Sequence, residues 1–485
     1  MRRRAPPFPP SSRVNFARDV VDAADPARIA LVTIDSEGER SEHSFGAISD
    51  GSARLAATLA ARGVEPGDVV MTVIGNRPEW VLTLVACFRM GAVALPCTEQ
   101  LRAADLRARM DAVEPKAVLC DHRNADTVRD AGFGGPLLVV PDERLFEAAP
   151  LPASDLDPGA PALLVFTSGT SGEPKPIRHG QRYLAGQRVQ AEHWFGAREG
   201  ELAWCTAASG WSKSARNSFI APWLRGATAL LHDARFDPAE RLDLIERERV
   251  AVLCMAPTEY RVMAKRTELR EMPSLRHAVA AGEPLNPEIV SVWQDRVGVS
   301  VHDGYGQTET GALTGMPLDR PVRPGSMGVA LPGFDLWIDE GELCVDPDTV
   351  PTFFIDGPRD TWHTGDRVSR DDDGYLWFEG RTDDVIISAG YRIGPFEVES
   401  ALVAHPDVAE AAAVAHPDDE RGQVVRAVVV LRDGVAPGDE LARRLQDHVK
   451  ERTAPYKYPR VVEFAEALPK TASGKIKRAE LRDAD

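Results

Sequence analysis

Apolar and polar positions along this chain change period in a repeating order. From Ser49 to Arg62 (SDGSARLAATLAAR) alanine and leucine recur at helical spacing, and Gly63 follows as a stop signal. Gly67-Asp68 then opens a β-branched run, Val69 to Ile74, that predicts a strand. Pro78 suits the first turn of a helix reaching Met90, ahead of a short strand from Ala92 to Leu95. The cycle repeats with a helix from Ala103 to Val113 and a strand from Ala117 to Cys120. The continuous apolar run Ala162 to Phe166 predicts a buried strand. Further on come a helix (Pro238 to Arg249), a strand (Val250 to Met255), a helix (Thr258 to Arg266) and a strand (Leu275 to Ala280). Helices alternating with short strands predict an α/β fold in layers, with a largely parallel sheet. Past Met327 the texture changes. Asp335 to Val345 and Gly374 to Phe378 are short alternating runs between Asp/Gly turns, which predict a small β-rich subdomain. From about Asp384 a compact α+β unit follows: strands Val385 to Ser388, Val408 to Ala415 and Val424 to Leu431, with helices Pro395 to Ala404 and Glu440 to Arg452. The expected domain cut falls at Arg381-Thr382-Asp383, giving a large unit 1–382 and a small unit 383–485.

Length and charge narrow the function. A chain of 485 residues exceeds what one core holds, so several packed units are expected. The net charge of −17 argues against a nucleic-acid partner but leaves room for a small anionic substrate in a local basic pocket. Six scattered cysteines, with no C-x-x-C pair, predict buried thiols in a reducing compartment. The best apolar stretch, Trp80 to Met90, contains Arg89 and is broken by Gly91, so it predicts a core helix and no membrane insertion. The start, Met1-Arg2-Arg3-Arg4 followed by prolines, lacks the apolar segment of a signal peptide, and a cytoplasmic location is expected. Homo-oligomerisation is compatible with all of this.

The chemistry centres on Thr167-Ser168-Gly169-Thr170-Ser171-Gly172-Glu173-Pro174-Lys175. Successive backbone N–H groups of such a loop can ring an anion, the hydroxyls add donors, and the lysine adds a point charge. It is a phosphate cradle, though not the common P-loop, because Pro174 stands where the second glycine is required. Nor is Gly304-Tyr305-Gly306 a dinucleotide fingerprint, since Glu309 stands where the third glycine belongs. Asp303 to Thr310 (DGYGQTET) combines an aromatic able to stack on a base with a hydroxyl and a carboxylate able to meet Mg²⁺. Thr364-Gly365-Asp366 and Gly380-Arg381-Thr382-Asp383-Asp384 suggest a carboxylate and a guanidinium that together hold a ribose and its phosphate. Gly390-Tyr391-Arg392-Ile393-Gly394-Pro395 and Pro469 to Lys475 (PKTASGK) complete the set.

Six such motifs in this order resemble the adenylate-forming superfamily of acyl-CoA synthetases, nonribosomal peptide adenylation domains and firefly luciferase. The similarity runs from about Ser44 to the C-terminus. Ala208 to Ser214 (ASGWSKS), Ala281 to Pro287 (AGEPLNP) and Gly390 to Glu399 look most like medium-chain acyl-CoA synthetases.

The resemblance implies two half-reactions. A carboxylic acid attacks the α-phosphate of MgATP to give acyl-AMP and pyrophosphate, and the thiol of CoA then displaces AMP. By similarity, Thr167, Ser168, Gly169, Thr170, Ser171, Gly172 and Lys175 hold the β- and γ-phosphates. Gly282, Glu283 and Pro284 enclose the adenine with Asp303, Gly304, Tyr305, Gly306, Gln307 and Thr308, Tyr305 stacking on it. Thr170 and Glu309 meet Mg²⁺, Asp366 takes the ribose hydroxyls, and Arg381 lies nearby. Thr308, Glu309 and Lys475 are the implied catalytic residues, Lys475 bridging the carboxylate and α-phosphate. Asp383 matches the hinge of a mobile C-terminal domain. Ala389, Gly390, Tyr391 and Arg421 match CoA contacts, while Arg392 faces the nucleotide. Trp211, Lys213 and Arg216 border the acyl pocket. Arg216 stands where medium-chain relatives commonly carry a second pocket tryptophan, which argues against a plain fatty-acyl substrate; it either turns to solvent or meets an anionic or hydrogen-bonding group. The segment Val345 to Trp362 is shorter than usual. The alternative acceptor is a carrier-protein thiol, although no carrier domain follows Lys475 in the sequence.

Overall fold

The computed structural model describes residues 13–168, 174–382, 384–388, 391–418, 421–470 and 476–482. Two largely parallel sheets form the body. The first has six strands in the order Leu137–Val140, Ala117–Asp121, Val69–Val73, Val93–Cys97, Pro161–Ser168 and Pro174–Gly180, with only the last pair antiparallel. The second has seven, in the order Val301–Gly304, His277–Ala281, Val252–Met255, Leu202–Cys205, Thr228–His232, Ile29–Ile34 and Arg40–Ser44, again antiparallel only at the last pair.

Parallel neighbours need a crossover, and the helices supply it. Pro78–Met90 lies between the sheets. Trp80, Leu84 and Phe88 share one core with Val70 and Ala94 of the first sheet and Leu31 and Leu231 of the second. Burial on nearly every side explains why this helix shows no polar face. Its Arg89 is buried too and donates to Asp22 at 2.9 Å, so the charge is paired within the core. Proline in the first turn opens Pro78–Met90, Pro238–Arg247, Pro257–Arg266, Pro287–Val297 and Pro395–Val403, where the missing N–H costs nothing.

The β-rich subdomain is an antiparallel sheet ordered Leu336–Asp339, Glu342–Val345, Trp362–Arg370, Leu376–Arg381. The C-terminal sheet runs Tyr391–Ile393, Ile386–Ser388, Gly422–Leu431, Val408–Asp418, with Val461–Phe464 parallel to Gly422–Leu431. Helices Pro395–Val403 and Asp439–Arg452 cover it through Val398, Leu402, Leu441 and Leu445.

Several elements differ from expectation. Helix Phe45–Ala61 starts before Ser49 because the Ser44 hydroxyl caps it, accepting from the Ala47 N–H at 3.2 Å. The strand expected from Val250 begins at Val252. The hairpin Ile29–Ser44 was not foreseen, since Arg40–Ser44 is an exposed polar edge strand without an apolar face. Leu202–Cys205, Thr228–His232 and Val461–Phe464 are too short for periodicity to declare. Among the described residues no helix is long and apolar enough to cross a membrane, and all six cysteines are buried free thiols.

Candidate active site

In open parallel sheets, ligands collect at the carboxyl ends of the strands. In the seven-stranded sheet these ends include Cys205, Met255, Ala281 and Gly304, and sequence-predicted segments follow three of them. Ala281 and Gly304 are register partners, so Gly282 and Tyr305 leave adjacent strands side by side. Gly282 has φ +101°, in the left-handed region that glycine occupies without penalty. The next residue, Glu283, is tied across to the segment after Met255: its carboxylate accepts from the Thr258 hydroxyl at 2.6 Å. Asp303 is buried and its carboxylate accepts from the Gly304 N–H at 2.9 Å; burial pushes its carboxyl well above the usual range.

The β-rich sheet adds the other half. Asp366 and Arg381 face each other across its last two strands. Arg381 Nη1 donates to Asp366 Oδ1 at 3.2 Å and to the Thr364 carbonyl at 3.0 Å. Gln307 Nε2 donates to Asp366 Oδ2 at 2.8 Å and to the same carbonyl at 2.7 Å. The Tyr305 hydroxyl also donates to Asp366 Oδ2. Burial raises the Asp366 pKa, against the opposing pull of these hydrogen bonds and of the Arg381 charge. Gly365 makes the arrangement fit. Its φ is +69°, and a Cβ there would come within 2.7 Å of Arg381 Nη2. Trp362 Nε1 donates to Gln307 Oε1 at 2.9 Å and so fixes the amide. Trp362 was not anticipated: it lies 55 residues from Gln307 and carries no motif of its own.

On the other side of Gly282 lies the expected acyl border. Gly210 packs so closely on the end of the first sheet that a Cβ would stand 1.9 Å from the Thr98 backbone nitrogen. That contact holds the following residues in place. Trp211 is half-buried, and Lys213 Nζ sits 5.8 Å from its ring centroid while donating to the Ala281 carbonyl at 3.0 Å. Arg216 opens a short π-helical turn, Arg216–Ile220, and is buried; the solvent-facing alternative does not hold.

Thr167 and Lys175 are register partners on antiparallel strands, so the flanks of the expected phosphate-binding segment are two paired strands and not a strand and a helix. Lys175 is exposed. Thr308 and Glu309 are half-buried, and the Glu309 carbonyl accepts from the Phe354 N–H at 2.8 Å. Among the described residues no group of three His, Cys, Asp or Glu could hold a metal ion. Gly169, Thr170, Ser171, Gly172, Asp383, Ala389, Gly390 and Lys475 lie outside the described residues. Arg392 pairs with Ile387 through the backbone, Arg421 is exposed, and the exposed Tyr391 ring stacks on Tyr456 at 4.3 Å.

Residues 18–357 match the AMP-binding enzyme family, and residues 397–475 match the AMP-binding enzyme C-terminal domain. YtcI of Bacillus subtilis (strain 168), an uncharacterized acyl-CoA ligase, is 39% identical over 495 residues, covering 94% of this chain and 93% of its own length. The chain belongs to the AMP-binding enzyme family, among its acyl-CoA synthetases. The mitochondrial acyl-coenzyme A synthetase ACSM4 of Homo sapiens is 38% identical to this synthetase over 525 residues, covering 97% of it and 90% of the human protein. The anthranilate CoA ligase AuaEII, solved in complex with anthranoyl-AMP, superposes on the synthetase with a TM-score of 0.89 at 25% identity, covering 98% of each chain.

Proposed function

We propose that this acyl-CoA synthetase joins its acid to CoA at the junction of the seven-stranded and β-rich sheets, through an acyl-adenylate. The observation that carries the assignment is the buried Asp366 carboxylate, met by Tyr305, Gln307 and Arg381 beside the left-handed Gly282 turn. Vicinal ribose hydroxyls donate to such a carboxylate, and the guanidinium next to it meets a phosphate. The adenine lies between the Gly282-Glu283-Pro284 turn and Tyr305. Thr167, Ser168 and Lys175, with the loop they flank, hold the outer phosphates. A bound Mg²⁺ would be held by Glu309 and Thr170 and would supply charge neutralisation beside the phosphates.

The acid and the α-phosphate are both anionic, so their approach needs a cation placed between them, and Lys475 is that group. For the second half-reaction the unit 383–485 turns about Asp383. Lys475 leaves, and Ala389, Gly390, Tyr391 and Arg421 come to the CoA side. Lys265 Nζ, on helix Pro257–Arg266, donates to the Val408 and Ala409 carbonyls at 3.2 and 3.3 Å, and these are bonds such a turn must break. The buried thiols fit work in the cytoplasm. The test is a carboxylic-acid panel with MgATP, followed by product analysis. AMP and pyrophosphate are expected, with thioester only when CoA is added; ADP and phosphate would overturn the proposal.

A further inference from the structure

A guanidinium is expensive to bury without an anion, because water or amides can fill its hydrogen bonds but cannot neutralise its charge. Arg216 is only 6% exposed, and among the described residues it forms no ion pair with a carboxylate. Its Nε has no hydrogen-bond partner there. The guanidinium faces the Tyr183 hydroxyl and carries its charge toward the His179 ring, which packs on Tyr183 at 4.1 Å between centroids. Burial, with the Arg216 charge adding to it, holds that imidazole down to about 3, so His179 is neutral and offers no balancing anion.

The neighbours are unusual for a pocket meant for an alkyl chain. Gln187, Gln190, Asn217 and Ser218 are all at most 2% exposed. Gln190 Nε2 donates to Asn217 Oδ1 at 3.0 Å, which uses one half of each amide. The other half of each and His179 Nδ1 have no partner among the described residues, while Gln187 reaches the Tyr183 hydroxyl that Arg216 also faces and the Ser218 hydroxyl reaches the Cys205 thiol. Buried polar atoms are nearly always satisfied, so unsatisfied ones on segments that meet at Tyr183 and Arg216 point to a ligand that satisfies them. By the resemblance, the stretch from Trp211 to Ser218 borders the acyl pocket. Ser218 is on the same turn as Arg216, a few residues past Trp211 and Lys213, and the His179 ring lies against the carbonyls of Thr308 and Thr352. Lys213, also buried and without a carboxylate partner among the described residues, is a second cation nearby.

Resting on the acyl-CoA synthetase assignment above, we infer that the acid this enzyme activates carries a second anionic group, held by Arg216 with Gln187, Gln190 and Asn217 as supporting hydrogen-bonding side chains. One carboxylate reacts with ATP; the other stays ionised and pairs with the guanidinium. An alkyl terminus in the same place would leave the charge and the amides unpaired, which discriminates far more sharply than a missing methylene does.

The test pairs malonate, succinate, glutarate and adipate with propionate, butyrate, valerate and hexanoate, and reads kcat/KM from pyrophosphate release with MgATP and CoA. At least one dicarboxylate is expected to exceed its monocarboxylate partner by about a hundredfold. Arg216→Met should remove that advantage and raise the monocarboxylate rates, while Arg216→Lys, which keeps the charge but loses the planar fork, should retain part of it. The melting temperature of acid-free Arg216→Met should be no lower than that of the wild type, because an unpaired buried charge has been removed. Monocarboxylates preferred at every length, or an Arg216→Met variant that keeps the wild-type ranking, would overturn the inference and leave the synthetase assignment standing. ADP as product, or no AMP from any acid, would overturn both.

Discussion

Asp366→Asn tests the nucleotide half of the site most directly. The two carboxylate oxygens are engaged separately: Oδ1 by Arg381, Oδ2 by Tyr305 and Gln307, and all three partners are donors. Substitution turns one oxygen into an NH₂. Whichever way the amide is placed, a donor then faces a donor, and at least one charge-assisted hydrogen bond is lost, worth about 1.5–3 kcal/mol. The Arg381 ion pair goes as well. Arg381 is 35% exposed, so solvent screening limits that share to about 1 kcal/mol or less. Against this, the neutral amide escapes the desolvation that raises the Asp366 pKa, so the net loss in stability is expected to be about 1 kcal/mol or less. Ribose hydroxyls also lose an ionised acceptor, which should lower kcat/KM for ATP by about ten- to a hundredfold, at about 1.4 kcal/mol per tenfold. The assays are melting scans and pyrophosphate release as a function of ATP.

The pH dependence adds a second readout. Burial raises the folded pKa of Asp366, so the folded state takes up this proton at higher pH than the unfolded chain does. Its contribution to stability therefore declines as pH rises from the ordinary aspartate value to the raised one. Nucleotide binding runs the other way: KM for ATP should climb as pH falls through the raised value, and Asp366→Asn should flatten that profile. A KM for ATP that Asp366→Asn leaves unchanged, with its wild-type pH profile, would refute the reasoning.

Other substitutions separate the remaining roles. Lys475→Ala should slow adenylation by about 10²–10³ while leaving thioester formation from supplied acyl-AMP intact; equal losses in both steps would make the lysine structural. Gly210→Ala must move the backbone at Thr98, 1.9 Å from the new Cβ, and should destabilise by about 1–3 kcal/mol or more; wild-type melting would show that the two sheets are not held together there. Burial holds the Lys265 ammonium down to about 8, against about 10.4 in an unfolded chain. The folded state binds fewer protons between these values, so stability should rise with pH across that window, and Lys265→Met should abolish the rise in a melting-versus-pH series.

Local pattern was enough to reveal the layered α/β class, the β-rich insert and the order of the chemical motifs. Each of these is written in contiguous residues: a period of two or 3.6, a proline opening a helix, a glycine forced to positive φ as at Gly282 and Gly365. The residue types available for binding a nucleotide were equally legible in those stretches. The sequence could not show how they meet. Tyr305 reaches Asp366 across 61 positions, and Trp362 reaches Gln307 across 55, because two separate sheets bring their edges together. Nor could it orient Arg216. Every residue from Lys213 to Leu224 is buried, so the segment has no polar face and its periodicity carries no information about direction. Only the packing of Arg216–Ile220 against Gln190 and Tyr183 turned that charge inward. A buried segment with uniform exposure leaves such decisions to tertiary structure, because sequence periodicity reports the contrast between core and solvent and says nothing where no solvent is near.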